Sequence, residues 1–406
     1  MNLPYYEILF PEVVQYDYNK LLVPSGDSTR LVRFFAKLDS MLNYGNGNLN
    51  IVHIGGSHVQ ADAFSNNLRM HFADLGKNIV VARGAIFPWS AAKTNGPKNL
   101  ETSYTGTWQK TQNSLGTPTH DMGIMGYSIT TNDTNATISF NLNPAYCTKP
   151  TCWCYDRLRL FADINDSTTT PLLEVDNNIY TAVKDGDSYR FNLPHTTDHG
   201  TIRFLQRYEE IDLNNSCYDI IPFEVSIEGL IPENDNQGIV YHSLGVNGAS
   251  VKSWLKCTNL EKQLQYITPD LLICGIGIND ANVPYSKFDP EQYKENYRNL
   301  LQKVYDVNPD CAVIFLTNND CVLRLNRKNK GTNKNTPRVE QALMELAAEQ
   351  NAAVWNQYMI MGGLGSSVDW VKAGLMTRDR VHFTANGYNV LGNLLFDAIM
   401  DFKWNY

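Results

Sequence analysis

No run of about 18 apolar residues occurs in the sequence, so a transmembrane helix is not expected. An excess of basic charge is missing too. Lys and Arg number 34 against 42 Asp and Glu, a formal net charge of −8. Neither nucleic acid nor an anionic membrane is therefore expected as a partner. The opening Met-Asn-Leu-Pro-Tyr-Tyr-Glu lacks the basic, apolar and small-residue succession of a secretory signal, and none is expected within it. Paired Cys-x2-Cys spacings are also lacking. Cys147, Cys152 and Cys154 cluster, but no matching second pair follows, so a disulfide or plain packing is expected rather than zinc. Cys274 and Cys311 lie in apolar runs and read as buried small hydrophobes. No internal repeat or low-complexity segment stands out.

What remains is an ordinary globular composition, 43% hydrophobic and 19% charged over 406 residues, long enough for two domains. Residues 50–62, Asn-Ile-Val-His-Ile-Gly-Gly-Ser-His-Val-Gln-Ala-Asp, organise the reading. Ile51, Val52 and Ile54 suit a buried parallel strand. Gly55 and Gly56 break it, and Ser57 follows at once. Ala61, Phe64, Leu68 and Phe72 then recur at helical spacing. A serine on such a turn is presented at the carboxyl edge of a sheet, where attack and anion stabilisation are both served.

Before that strand, residues 1–26 are rich in aromatics and prolines and are expected to wrap the surface. Leu31, Phe34, Phe35, Leu38, Met41 and Leu42 line one face of a helix over 28–43. After it, the helix is expected to end near Gly76, with a strand at Ile79–Ala82. From about 94 to 236 short β-branched and aromatic segments alternate with turn clusters: 136–142, 157–162, 179–183, 189–193, 201–206 and 223–227. Residues 130–135 and 163–170 read as turns. That rhythm predicts an inserted antiparallel β-sandwich. From 239 strands and helices alternate again. Strands are expected at 239–242, 270–274, 312–316 and 352–355, and helices at 251–264, 290–307, 337–350 and 386–402. Residues 1–93 and 237–406 are thus expected to form one discontinuous α/β domain around residues 94–236, with ligands at the strands' carboxyl ends.

Three further polar stretches reach that edge. Gly245-Val246-Asn247-Gly248-Ala249 and Gly277-Ile278-Asn279-Asp280 follow strands, and Asp379-Arg380-Val381-His382 precedes the last helix. A serine hydroxyl needs a base to take its proton. His382 is the candidate base, and Asp379 would fix its tautomer and stabilise the imidazolium. His53, His58 and Asp280 read as supporting residues.

The order Ser, Gly, Asn, then Asp-x-x-His resembles the SGNH (GDSL-type) hydrolase family. The flanks resemble its peptidoglycan O-acetylesterase-like branch, which carries an inserted carbohydrate-binding-like β domain. Residues 54–62, Phe87-Pro88, 92–97, Gly106-Thr107-Trp108, 245–249 and His382-Phe383-Thr384 carry that likeness. One departure is Gly56, which stands where the family's first block has an Asp that supports the turn.

The resemblance implies a three-layer αβα, flavodoxin-like parallel sheet and a serine esterase that removes O-acetyl groups from peptidoglycan or another acetylated polysaccharide. It implies Ser57, His382 and Asp379 as catalytic residues, with an oxyanion hole from the Ser57 and Gly248 N–H groups and the Asn279 amide. No cofactor or metal is implied. A bacterial periplasmic or envelope location is implied as well. O-acetyl transfer to a sugar and a non-catalytic glycan-binding role are the competing readings. Trp89, Trp108, Trp153 and Trp370 are candidates for stacking on sugar rings or for core packing. The oligomeric state is not legible.

Overall fold

Runs such as Leu-Leu-Ile-Cys and Ala-Val-Ile-Phe-Leu have no polar face, so each such strand must be covered on both sides. The computed structural model, which describes residues 9–76, 79–142, 153–165, 168–206, 223–324 and 330–405, meets that demand. The chain enters through β1 (Leu21–Leu22), α1 (Thr29–Tyr44), β2 (Asn48–Gly55), α2 (Ser57–Gln60), α3 (Ala63–Asp74) and β3 (Val80–Ala82). Antiparallel strands follow: β4 (Glu101–Thr105), β5 (Gln109–Gln112), β6 (Tyr127–Thr131), β7 (Thr137–Asn141), β8 (Tyr155–Ile164), β9 (Thr169–Val175) and β10 (Asn178–Thr181). β11 (Val183–Asp185), β12 (Ser188–Thr197), β13 (His199–Gln206) and β14 (Val225–Glu233) complete them. The α/β alternation resumes with β15 (Gly238–Gly245), α4 (Val251–Trp254), α5 (Leu260–Leu264), β16 (Leu271–Gly275), α6 (Pro290–Val307) and β17 (Ala312–Leu316). It closes with the ribbon β18 (Val322–Arg324) and β19 (Lys330–Thr332), then α7 (Thr336–Gln350), β20 (Ala353–Trp355), α8 (Gln357–Ile360), α9 (Ser367–Lys372) and α10 (Ala385–Asn405).

The main sheet has the order β1-β20-β17-β16-β2-β15-β3. Its members run parallel except β1, which pairs antiparallel with β20, so the sheet is mixed rather than wholly parallel. Side chains alternate between two cores along each strand. Leu49, Ile51, Leu271, Ile273 and Ile314 face the core closed by α1, α3 and α10. Val52, Ile54, Leu272, Cys274 and Phe315 face the core closed by α5, α6 and α7. β2 lies between β15 and β16, which arrive later in the chain. The three strands therefore end side by side, at the crevice where the connections part to opposite sides of β2.

The antiparallel strands form a five-stranded sheet, β10-β9-β13-β7-β4, and a six-stranded sheet, β11-β12-β8-β14-β6-β5. Ile138, Leu173 and Ile202 of the first share a buried cluster with Leu158, Val225 and Ile227 of the second. The same cluster continues into Val52, Val246 and Trp254 beside the main sheet, so this region has no separate core of its own.

Several expectations need correction. The helix after Ser57 is two helices, because Asp62 takes a left-handed φ of 58° between them. The helix expected over 251–264 is also two. Between them, Asn259 sends its N–H to the Met122 carbonyl (3.1 Å) and its side chain to Glu228 (2.8 Å), and Thr258 bonds Asp121 (2.7 Å). Those bonds to the antiparallel region pull the chain off the helical path. The strand expected at 179–183 splits, because β10 pairs in one sheet and β11 in the other, with the Ala182 N–H bonded to Pro171. β4 and β5 are additional strands, Thr-, Ser- and Gln-rich without apolar alternation; β6 is a further one that ends inside the turn expected at 130–135, and β9 begins inside the turn expected at 163–170. Residues 1–26 do run over the surface from Leu9 onward, yet they bury Val13 and Val14 and donate an edge strand. Cys147 and Cys152 lie outside the described residues.

Candidate active site

Ser57 stands at the carboxyl end of β2, on the first residue of α2. Gly55 makes the turn possible: a Cβ there would fall 2.3 Å from Val59 Cγ2 and 3.2 Å from the Gly275 carbonyl. Gly56 is different. Its φ is −95°, and a Cβ would sit 3.5 Å from Asn279 Nδ2, an ordinary contact. The Gly56 carbonyl accepts from the N–H groups of Val59 and Gln60 (3.1 Å each), and the Val59 carbonyl accepts from Ser243 Oγ (3.1 Å). Behind the turn, Asp62 is buried in a fork of Arg69 (3.0 and 3.1 Å), with Arg83 at 3.3 Å and Asn99 at 3.3 Å. Burial opposes its charge, but the two guanidinium groups prevail and lower its pKa.

His382 reaches Ser57 from the other end of the chain. Its Nε2 lies 2.8 Å from Ser57 Oγ, and its Nδ1 lies 2.7 Å from Asp379 Oδ2. Asp379 is an acceptor throughout. Its Oδ1 receives the Thr377 hydroxyl (2.6 Å) and the N–H groups of Val381 (2.8 Å) and His382 (2.9 Å). Partial burial opposes its ionisation. The bonds from the His382 ring, Thr377 and the two backbone N–H groups outweigh that and hold the carboxyl well below the usual range. An ionised Asp379 requires the His382 proton on Nδ1, which leaves Nε2 free to accept the Ser57 proton. His382 and Asp379 side chains are each 41% exposed, so this edge is open to solvent.

The supporting residues also find places. His58 packs its ring 5.4 Å from His382 and shares a 2.8 Å bond between Nδ1 and the Tyr388 hydroxyl. Burial, helped by the nearby His382, pushes its pKa down to about 3, so it stays neutral beside the His382 imidazole. His53 is buried against the Tyr241 hydroxyl at 2.9 Å. Asp280 caps α4 through the Val251 N–H (3.1 Å).

Asn279 and the loop at 245–249 lie beside the Ser57 turn. Val246 N–H bonds the Gly55 carbonyl (3.2 Å), and Asn279 Nδ2 donates to the Ala249 carbonyl (3.0 Å). Gly248 is exposed with φ +76°, and no acceptor among the described residues takes its N–H or that of Ser57. All five residues expected at the site are therefore gathered on one edge.

Gln60, which lies in the first block, is a further residue of this edge. Its Oε1 accepts the Asn247 N–H (2.5 Å) and the Tyr127 hydroxyl (2.9 Å), while Nε2 donates to the Asn95 carbonyl (2.7 Å). A lone glutamine carries no periodic signal; only its burial, 2% exposed, marks it. The tryptophans are packing residues, not stacking platforms. Trp89, Trp108, Trp153 and Trp370 are all buried, with Trp89 against Phe87 and Tyr127, and Trp370 against Phe383.

Residues 228–390 match the GDSL-like Lipase/Acylhydrolase family. That span holds Gly248, Asn279, Asp379 and His382, and Ser57 lies before it. Among solved structures, a peptidoglycan O-acetylesterase shares the fold at a TM-score of 0.74, with 18% identity over 95% of this chain and 99% of that one. The acetyl xylan esterase AlAXEase is similar over 40% of this chain and 82% of that chain, at 18% identity and a TM-score of 0.31. Axe2, an acetylxylan esterase from Geobacillus stearothermophilus, is similar over 40% and 73%, at 19% identity and a TM-score of 0.30. No curated protein matches the sequence.

Proposed function

We propose that this chain, whose residues 228–390 match the GDSL-like Lipase/Acylhydrolase family, is a carbohydrate O-acetylesterase of SGNH type working through an acyl-enzyme on Ser57. The observation that carries this reading is the continuous relay from Ser57 Oγ through His382 to Asp379, at 2.8 and 2.7 Å. His382 Nε2 takes the Ser57 proton as Oγ adds to the acetyl carbonyl. The resulting oxyanion accepts hydrogen bonds from the N–H groups of Ser57 and Gly248 and the Asn279 amide. Each such donor is worth about 3–4 kcal/mol of transition-state stabilisation. His382 then protonates the departing sugar oxygen, and the C–O bond breaks. Water adds to the acyl-enzyme with His382 again as base, and acetate leaves.

The substrate reading rests on two supports. The half-exposed relay suits a small acyl group carried on a polymer rather than a long chain drawn into a tunnel. The likeness to the peptidoglycan O-acetylesterase extends over the antiparallel region as well as the main sheet. In this reading residues 94–236 are an inserted, carbohydrate-binding-like β-sandwich. Rings that pass between its two sheets support the sandwich, such as Phe140 against Tyr155 at 6.0 Å. Acetylated peptidoglycan is the leading substrate, and the bacterial envelope the place where it is met.

Acetate release from O-acetylated peptidoglycan, acetylated xylan and a small chromogenic acetate ester tests the proposal. Release from all three, fastest from peptidoglycan, is expected. Faster release from xylan would move the substrate assignment, and none from any would leave a glycan-binding protein.

A further inference from the structure

We infer that the antiparallel region sets the direction of the Gly248 N–H, through Ser114 and Gln112 holding the opposite end of the same peptide. This rests on the reading of that N–H as an oxyanion donor. Residues 246–249 form a β-turn closed by the Ala249 N–H on the Val246 carbonyl (3.1 Å). Gly248 has φ +76°, while Asn247 is not among the residues of positive φ, which makes the turn type II. Types I and II differ by a half-rotation of their central peptide, here the Asn247–Gly248 unit. A trans peptide points its C=O and N–H in opposite directions. Whatever fixes the Asn247 oxygen therefore aims the Gly248 hydrogen.

Two donors fix that oxygen. Ser114 Oγ donates to it at 2.7 Å and Gln112 Nε2 at 2.9 Å, while Gln112 Nε2 also reaches Ser114 Oγ at 2.7 Å. Both residues belong to the antiparallel region, Gln112 ending β5 and Ser114 following it. Gln60 grips the other side of Asn247 through its N–H and is itself held by Tyr127 on β6. The glycine that tolerates the type II turn also lacks the Cβ that would favour one peptide orientation over the other, so the side chains of the second region supply the preference. Ser114 and Gln112 are positioning residues, since they touch neither acetyl group nor nucleophile.

The test compares Ser114→Ala, Gln112→Met with Ser114→Ala, and Ser114→Thr in the full chain, with Ser57→Ala as the reference. In the double variant kcat for a chromogenic acetate ester is expected to fall about 100-fold, the loss of one oxyanion donor, with KM within about twofold. Affinity for methylboronic acid, a tetrahedral mimic, should weaken alongside kcat/KM. Ser114→Ala alone should lose about tenfold, and Ser114→Thr, which keeps the hydroxyl, should stay within about threefold of wild type. Wild-type kcat in a folded double variant, or a loss lying wholly in KM, overturns the inference. Should the double variant not fold, Ser114→Ala decides: no drop in kcat overturns it, and a drop rescued by Ser114→Thr upholds it. If Ser57→Ala itself keeps turnover, the failure lies in the underlying reading and takes the inference with it.

Discussion

The parallel and the antiparallel regions meet the same turn, residues 246–249, from opposite sides and give it different things. From the parallel side come Ser57, Asn279, Asp379 and His382, the groups that make, break or polarise bonds in the proposed reaction. From the antiparallel side come Gln112 and Ser114, which hold the Asn247 carbonyl, and Tyr127, which holds the Gln60 side chain; none has a part in the proposed bond-making. Chemical groups announce themselves by residue type and by place at a strand end. Groups that only hold a peptide plane do so by location, and location becomes visible when two regions are seen packed together. The buried cluster continuous across both regions explains how the second can act on the first: their side chains pack into one core.

The largest effects should come from the chemical side. Ser57→Ala and His382→Ala are each expected to lower kcat by about 10⁴-fold or more without unfolding the protein, and the pair together by little more than either. Ester turnover with thermal melts checks this, and additive losses would mean that the two do not act as a unit. Next comes the ion cluster behind the Ser57 turn. Arg69→Ala leaves buried Asp62 with Arg83 and Asn99 alone and should cost about 3–5 kcal/mol in denaturant unfolding. A loss under about 1 kcal/mol would place the anchoring of that turn elsewhere.

Glu228, on the antiparallel side, sharpens the contrast, because its effect should fall on stability and not on turnover. Burial pushes its pKa up to about 7, against hydrogen bonds from Asn259 (2.8 Å) and Gln263 (2.6 Å) that favour the charge. A carboxyl raised in the folded state costs stability as pH rises from 4.5 through 7, where the unfolded chain has already given up its proton. Glu228→Gln lacks that loss. Its stability relative to wild type should therefore improve between pH 4.5 and 8 by up to about 3 kcal/mol, with kcat unchanged. Unfolding curves at the two pH values decide it, and a constant offset would contradict it.

The smallest effects separate two adjacent glycines. Gly55→Ala must push aside Val59 and should cost about 1–3 kcal/mol, while Gly56→Asp meets only ordinary contacts at its Cβ, 3.5 Å or more away, and a negative φ, and should cost under about 1 kcal/mol with turnover retained. A melt that ranks them the other way would show that the turn depends on Gly56.

How much the sequence revealed follows the same division. Pro290–Val307 was legible to the residue because Asp289 caps it through Glu291 and Gln292, Pro290 starts it, and its apolar face repeats. Ala312–Leu316 was legible because five apolar residues in a row admit no other use. β4 was not, since Glu-Thr-Ser-Tyr-Thr at a half-open edge has no apolar alternation to read. Nor was the break at Asp62, whose carboxylate meets Arg69 and Arg83 only in the folded chain. At the candidate site, the meeting of Ser57 and His382, 325 residues apart, was legible from residue type and from their places at a strand end and a helix entry. Gln60 and Ser114 were not, because a buried amide or hydroxyl takes its meaning from the carbonyl or N–H it meets.

The central claim is that acetyl passes through Ser57. Mixing the enzyme with excess acetate ester, quenching in acid within milliseconds and mapping the peptides by mass spectrometry tests it most directly. The account predicts an acetyl group on Ser57, accumulating in His382→Ala far more slowly than in wild type and absent from Ser57→Ala. Acetyl on another residue, or turnover that persists in Ser57→Ala, would contradict it.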